Sequence, residues 1–212
     1  PVAVPSPEAA RGFIGPFDPG SIHFRASAPE SQAVAVLGGS PYSYFRYETH
    51  LAAMSALTAY DEIAGEFARE FGRRHDAVEA CHTEDAEVVL VMLGSFATKA
   101  RDAVERLRQA GRRIGLVRPR LLRPFPEARL RELLLGKKGA AVIDQNISMG
   151  KGGVIFTELA SALYGQKDAP VLTSFIGGLG GRDITLEEFY EIASVTQKAA
   201  AEGIAPPPRL LF

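Results

Sequence analysis

Val88-Val89-Leu90-Val91-Met92-Leu93-Gly94-Ser95 sets the architecture of this chain. Six consecutive apolar residues closed by Gly and Ser have strand length and lack the polar alternation of a solvated face, so they fit a strand buried on both sides. The unit recurs downstream. Residues 98–110 put Ala103, Val104 and Leu107 on one side of a helix that stops at Gly111. Residues 114–117 read as strand, 126 or 127 to 135 as helix, 139–143 as strand, 154–163 as helix and 171–175 as strand. Thr185-Leu186-Glu187-Glu188 is a capping box that opens a last helix reaching about residue 201. Strands separated by helices of about ten residues need crossover connections, which gives a parallel sheet covered on both faces.

Upstream the pattern differs. Leu51, Met54, Leu57, Tyr60, Ala64, Phe67 and Phe71 recur three and four apart from Phe45 onward, ending at Gly72 beside Arg73 and Arg74. This predicts a long amphipathic helix whose aromatic stripe serves a core or an interface. Before it, half of the 14 prolines fall at or before Pro41: Pro1, Pro5, Pro7, Pro16, Pro19, Pro29 and Pro41. Proline lacks a donor and fixes φ, so residues 1–44 are predicted to form an extended strap, with 45–212 as the folded domain and its leading helix. Phe13, Ile14, Phe17, Ile22, Phe24, Val34, Val36 and Leu37 are too many apolar groups for a flexible linker, so the strap is expected to lie on a surface. The opening at Pro1, without an initiator Met, suggests a piece of a longer chain.

Composition narrows the function classes. The chain has 212 residues, 46% apolar and 23% charged, with 24 Lys+Arg against 25 Asp+Glu. A net charge of −1 gives no bulk reason to expect nucleic acid or an acidic membrane as partner. No apolar run approaches the roughly 20 residues that span a bilayer, and no leader is visible, so the expectation is a cytoplasmic protein. Cys81 is the only cysteine and excludes an internal disulfide. Residues 99–138 carry 13 Lys+Arg against 4 Asp+Glu, a difference of +9, leaving −10 for the rest of the chain. That asymmetry is either a docking surface for an acidic partner or a set of solvated helix faces.

In such a sheet, ligand groups gather where strands end at their carboxyl side. The exit at Gly94-Ser95-Phe96-Ala97-Thr98 runs into a helix N-terminus, without P-loop spacing; the bland reading is a tight turn capped by Ser95 or Thr98. The exit from Asp144 to Gly153 is richest. Asp144, Asn146, Ser148, Gly150, Gly152 and Gly153 suit an anion nest or a close approach by a partner, or a loop in which glycines provide the turns and Asp144 caps. A third exit holds Gly177, Gly178, Gly180, Gly181 and Arg182, and is either a clamp or a place where another chain passes close. No catalytic set is legible. His23, His50, His75 and His82 have no HExxH or CxxC companion and predict no zinc site, and adjacent Cys81 and His82 should face opposite sides of a strand.

Tyr44-Phe45-Arg46-Tyr47, Thr83-Glu84-Asp85-Ala86, Val91-Met92-Leu93-Gly94-Ser95, Arg120-Leu121-Leu122-Arg123-Pro124-Phe125-Pro126, Asp144-Gln145-Asn146-Ile147-Ser148 and Gly177-Gly178-Leu179-Gly180-Gly181-Arg182-Asp183 together carry a resemblance. The chain resembles the 2-oxoacid:ferredoxin oxidoreductases, above all the pyruvate:ferredoxin branch, and within them the carboxyl-terminal part of the alpha subunit, domain II. The resemblance covers essentially all of the chain. It implies a transketolase C-terminal-like fold: a three-layer α/β/α sandwich with a mostly parallel five-stranded sheet and one antiparallel strand, for which residues 78–81 are the candidate. It also implies an enzyme that decarboxylates a 2-oxoacid on thiamine diphosphate and Mg²⁺, passes electrons through iron–sulfur clusters to ferredoxin and transfers the acyl group to coenzyme A.

Several cysteines are needed for such clusters and one is present; the resemblance further implies that substrate, thiamine diphosphate and Mg²⁺ contacts lie in other parts of the enzyme, so this chain is expected to hold no cofactor and no catalytic residue. It would be an architectural domain at a subunit interface. The alternatives are a free-standing α/β module that binds a small phosphorylated ligand at the Asp144 nest, and an excised dehydrogenase E1 or transketolase domain. The latter predicts no combination of RPFP with DQNIS.

Overall fold

The computed structural model describes residues 3–18, 20, 25–29 and 39–212, which fall into two compact units, Pro1–His75 and Asp76–Phe212. The first contains α1 (Pro7–Ile14) and α2 (Gly39–Phe71). α1 corrects the expectation of a wholly extended strap. Ser6 accepts the Ala9 N–H at 3.2 Å, Pro7 sits in the first turn where its missing donor has no helical role, and Gly15 ends the helix at φ +72°. The Phe13 ring meets those of Phe67 and Phe71 edge-on, each at 5.5 Å between centroids, while Ile14 and Phe17 are exposed. Pro1, Pro19, Ile22, Phe24, Val34, Val36 and Leu37 lie outside the described residues. α2 runs 33 residues, roughly 50 Å, and begins six residues before the expected Phe45. Pro41 falls within its first turn, where the helix tolerates it.

The second unit follows the alternation read from the sequence. Its elements are β1 (Val78–Cys81), β2 (Val88–Met92), α3 (Ala97–Gln109), β3 (Ile114–Pro119), α4 (Glu127–Leu134), β4 (Gly139–Asp144), α5 (Val154–Leu163), β5 (Val171–Ile176), α6 (Leu186–Glu202) and β6 (Arg209–Leu210). The sheet order is β1-β3-β2-β4-β5-β6. β1 runs antiparallel to β3, Val78 opposite Pro119 and Cys81 opposite Leu116, and every other pairing is parallel. The sheet therefore has six strands, one more than expected. β6 extends it by pairing Arg209 and Leu210 with Phe175 and Ile176.

Period-two geometry divides each central strand between two cores. Val88, Leu90 and Met92 of β2 pack with Ala103, Val104 and Leu107 of α3 and Phe189 and Ile192 of α6. Val89 and Val91 face the other way, toward Leu130 and Leu134 of α4 and Ile155 and Leu159 of α5. Two helices on each face make the three-layer α/β/α sandwich. The capping box at Thr185 is formed in full, with Thr185 Oγ1 accepting the Glu188 N–H and the Glu188 carboxylate accepting the Thr185 N–H. At Gly139 a Cβ would lie 3.0 Å from Thr196 Cγ2 and 3.2 Å from Ala200 Cβ, so the missing side chain lets α6 settle directly on β4.

One polar contact lies inside this packing. Thr196 donates its hydroxyl to the Ile192 carbonyl at 2.8 Å, leaving Thr173 on β5 to donate to Thr196 Oγ1 at 2.7 Å. Both threonines are fully buried. Thr196→Val strands the Thr173 donor and should cost about 1–3 kcal/mol in urea unfolding. The double replacement with Thr173→Val removes both polar groups and should cost less than the sum of the single variants; strict additivity would contradict a shared bond.

Candidate functional site

The carboxyl ends of β2, β4 and β5 meet at one edge of the second unit, and the three glycine-bearing exits lie there. β4 ends at Asp144, whose carboxylate reaches across its own loop into the first turn of α5. Asp144 Oδ1 accepts the Ile155 N–H at 2.8 Å, and Oδ2 accepts the Phe156 N–H at 3.1 Å. Asn146 Oδ1 accepts the Val154 N–H at 3.2 Å. Three of the free donors at this helix start are thus filled by the protein's own side chains. A Cβ on Gly153 would fall inside the Asp144 carboxylate, so only glycine fits. Burial pushes the Asp144 carboxyl above its ordinary pKa, a shift that the N–H groups of Ile155 and Phe156 and the Asn146 amide oppose.

The rest of the loop is held by backbone bonds. Ser148 N–H donates to the Gly152 carbonyl at 2.7 Å, and the Lys151 and Gly152 N–H groups return to the Ser148 carbonyl at 2.9 and 3.1 Å. Gly150 and Gly152 take φ of +79° and +117°, conformations that side chains resist. Within the loop, the N–H groups of Ser148, Lys151 and Gly152 are thus engaged by its own backbone. Met149 at the loop tip is 84% exposed.

Gln145 joins the other two exits. Its amide donates to the Leu93 carbonyl at 2.8 Å, and a Cβ on Gly94, which has φ +90°, would lie 2.9 Å from that amide nitrogen. A Cβ on Gly178 would sit 3.5 Å from Gln145 Cγ and 3.1 Å from the Phe96 ring. Gly177 donates to the Asp144 carbonyl at 2.9 Å and has Leu211 and Ile184 where a Cβ would stand. Gly180 and Gly181 face open space at φ +65° and +84°. Arg182 pairs with Glu188 at 2.8 Å and also reaches the Phe212 carbonyl. Lys99, in the first turn of α3, pairs with Asp183 and holds its carboxyl below the ordinary range, which ties the first exit to the third.

Two local expectations change. Neither Ser95 nor Thr98 caps α3 by its side chain: the helix starts after Phe96 with a backbone bond from Thr98 N–H to the Ser95 carbonyl at 3.1 Å. The basic stretch 99–138 is largely met within the chain, since Arg101, Arg118 and Arg120 converge on Glu79, Arg108 pairs with Asp85, and Arg123 pairs with Glu158. The closing segment, with β6, Leu211 and Phe212, was not anticipated at this edge, because a two-residue strand has no periodicity to read.

A cavity of about 250 Å³ opens beside the Asp144 loop, lined by Leu93, Leu122, Ile143, Asn146, Val154 and Ile155 among others. Among the described residues, no helix is long and apolar enough to cross a membrane.

A mainly parallel sheet covered by two helices on each face defines a three-layer α/β module. Residues 86–189, about half of the chain, match the family described as "Pyruvate:ferredoxin oxidoreductase core domain II". The chain is 33% identical over 208 residues to pyruvate synthase subunit PorA of Pyrococcus abyssi, covering 98% of itself and 52% of that relative. It is 36% identical over 163 residues to ketoisovalerate oxidoreductase subunit VorA of the same organism, covering 76% of itself and 41% of that relative. Among solved structures, a 2-oxoglutarate:ferredoxin oxidoreductase from Magnetococcus marinus aligns with 63% of this chain and 21% of its own, at 23% identity and a TM-score of 0.42. The chain belongs to the 2-oxoacid:ferredoxin oxidoreductases through pyruvate:ferredoxin oxidoreductase core domain II. It spans about half the length of the curated relatives it matches.

Asp144→Ala would leave two α5 donors buried without their acceptor and should destabilise the chain by about 2–4 kcal/mol in urea unfolding. Asp144→Asn keeps one carbonyl acceptor and should lose less. Gly153→Ala displaces the carboxylate and should cost at least as much as Asp144→Ala; a neutral result would show that the close approach is not required.

Proposed function

We propose that this chain is an architectural, subunit-interface domain of a thiamine-diphosphate-dependent 2-oxoacid:ferredoxin oxidoreductase, and that the complete enzyme converts pyruvate to acetyl-CoA and CO₂ with reduction of ferredoxin. The observation that carries the proposal is similarity to pyruvate synthase PorA across 98% of this chain, together with the domain II match. Thiamine diphosphate, Mg²⁺ and iron–sulfur clusters would be held by other parts of that enzyme, since one cysteine cannot ligate a cluster. A cytoplasmic location, and partners consisting of the remaining domains or subunits, ferredoxin and coenzyme A, belong to the same proposal.

Two surfaces support the interface role. Gly94, Ser95, Ser148, Gly150, Gly180 and Gly181 lie in the three strand-exit loops of the second unit, where Met149 and Leu179 are exposed. On α2, Tyr42, Tyr44, Tyr47, Leu51 and Met54 are exposed, a concentration of large apolar groups that scattered surface residues do not produce.

The complete enzyme should show pyruvate- and coenzyme-A-dependent ferredoxin reduction, and this chain alone should show none. Absence of any 2-oxoacid-dependent reduction by the complete enzyme would overturn the assignment. Micromolar binding of thiamine diphosphate or coenzyme A to this chain in isothermal titration would overturn the purely architectural part. Tyr47→Glu combined with Leu51→Glu should reduce recovery of this chain with its partner subunits while leaving its far-ultraviolet circular dichroism unchanged.

A further inference from the structure

Cys81, His82 and Glu105 form a cluster outside the strand-exit edge. The ligating atoms, one from each side chain, all lie within 4.8 Å of one another, and His82 Nε2 is 2.8 Å from Glu105 Oε1. The expected separation of Cys81 and His82 onto opposite faces fails for a specific reason. β1 ends at Cys81, and His82 takes φ +52°, a left-handed conformation that breaks the alternation. The turn is accommodated by Gly115 on β3, where a Cβ would lie 2.6 Å from the His82 carbonyl oxygen and 3.1 Å from Ala86 Cβ. Glu105 comes from α3, the helix that covers the same face of the sheet as Cys81.

We propose that Cys81, His82 and Glu105 bind a divalent transition-metal ion of the Zn²⁺ type. Thiolate, imidazole and carboxylate are three of the ligand types that Zn²⁺ takes, and a water would complete a tetrahedral set. Metal–ligand bonds of about 2.0–2.3 Å place neighbouring ligand atoms roughly 3.3–3.8 Å apart. The cluster spans that spacing, and Glu105, with its side chain 47% exposed, can adjust by rotation alone. Sulfur and nitrogen donors select against Mg²⁺ and Ca²⁺. The bound ion would link the end of the edge strand β1 to α3, a role independent of the reaction assigned to the complete enzyme.

The test uses the 212-residue chain, reduced, stripped of metal with a chelator and titrated anaerobically with Co²⁺ as a spectroscopic stand-in for Zn²⁺. One equivalent should bind and produce a thiolate-to-cobalt charge-transfer band; because Cys81 is the only cysteine, that band can come from nowhere else. Zn²⁺ should displace the cobalt and raise the unfolding temperature, and Mg²⁺ should do neither. Cys81→Ser should abolish the band, and Glu105→Gln and His82→Asn should each weaken binding by at least about tenfold. Asn tolerates the left-handed backbone, so His82→Asn removes the ligand without forcing the turn to refold. Absence of a thiolate band in the unsubstituted chain, or undiminished Co²⁺ affinity in both Glu105→Gln and His82→Asn, would overturn the proposal.

Discussion

The placement of the strand-exit edge depends on one carboxylate. Asp144 stands at the end of a parallel strand flanked on both sides, its own backbone opposite Ile176 of β5, and its side chain enters the first turn of α5. A buried negative charge in that position is tolerable because three conditions hold together: two backbone N–H donors converge on it, Asn146 lies beside it, and Gly153 has no side chain to exclude it. The nine residues between Asp144 and Val154 are then closed into a loop of fixed span. Gln145, within that loop, reaches back to the Leu93 carbonyl and sets how closely the Gly94 and Gly178 turns approach. Replacing this polar contact by an apolar one would leave the first turn of α5 with unfilled donors, which is why the interior at this point is polar although the sheet around it is not.

Much of the second unit was legible because its strands are buried on both faces, a condition that shows directly as unbroken apolar runs. Val154–Leu163 was read to the residue, and the Thr185 box marked the start of the last helix, since caps are local chemistry. The first unit was harder to read. Counting prolines suggested an extended arm, yet Ser6-Pro7-Glu8 followed by Gly15 is itself a helix start and stop, and position within the helix, not proline number, decided the outcome. β6 had no local signal at all. Two residues become a strand only because β5 offers an open edge and Leu211 finds a place beside Gly177.

The site was legible in its parts and not in its arrangement. An acid ahead of a glycine loop indicates capping, but its partners lie 11 and 12 residues away, and only the folded loop brings them within reach. The charge of residues 99–138 looked like a surface feature because the answering carboxylates Glu79, Asp85 and Glu158 lie outside that stretch. The Cys81–His82 pair departs from strand alternation for a subtler reason. Alternation is a property of extended backbone, and it lapses one residue after the strand ends; Glu105, 23 positions beyond His82, had no sequence mark linking it to the pair.

The two margins of the sheet restrict how this chain can meet its neighbours. One margin is β1, four residues long, with Glu79 gripped by Arg118 of the adjoining strand and Arg120 just beyond it; the other is β6, with two residues paired. β6 leaves residues 171–174 of β5 unpaired on that side, so each margin presents only about four residues from which a ladder into a second copy would start. Margins this short leave little backbone for one chain to read in another, so discrimination between neighbours would rest on side chains, whose identity can differ from one relative to the next.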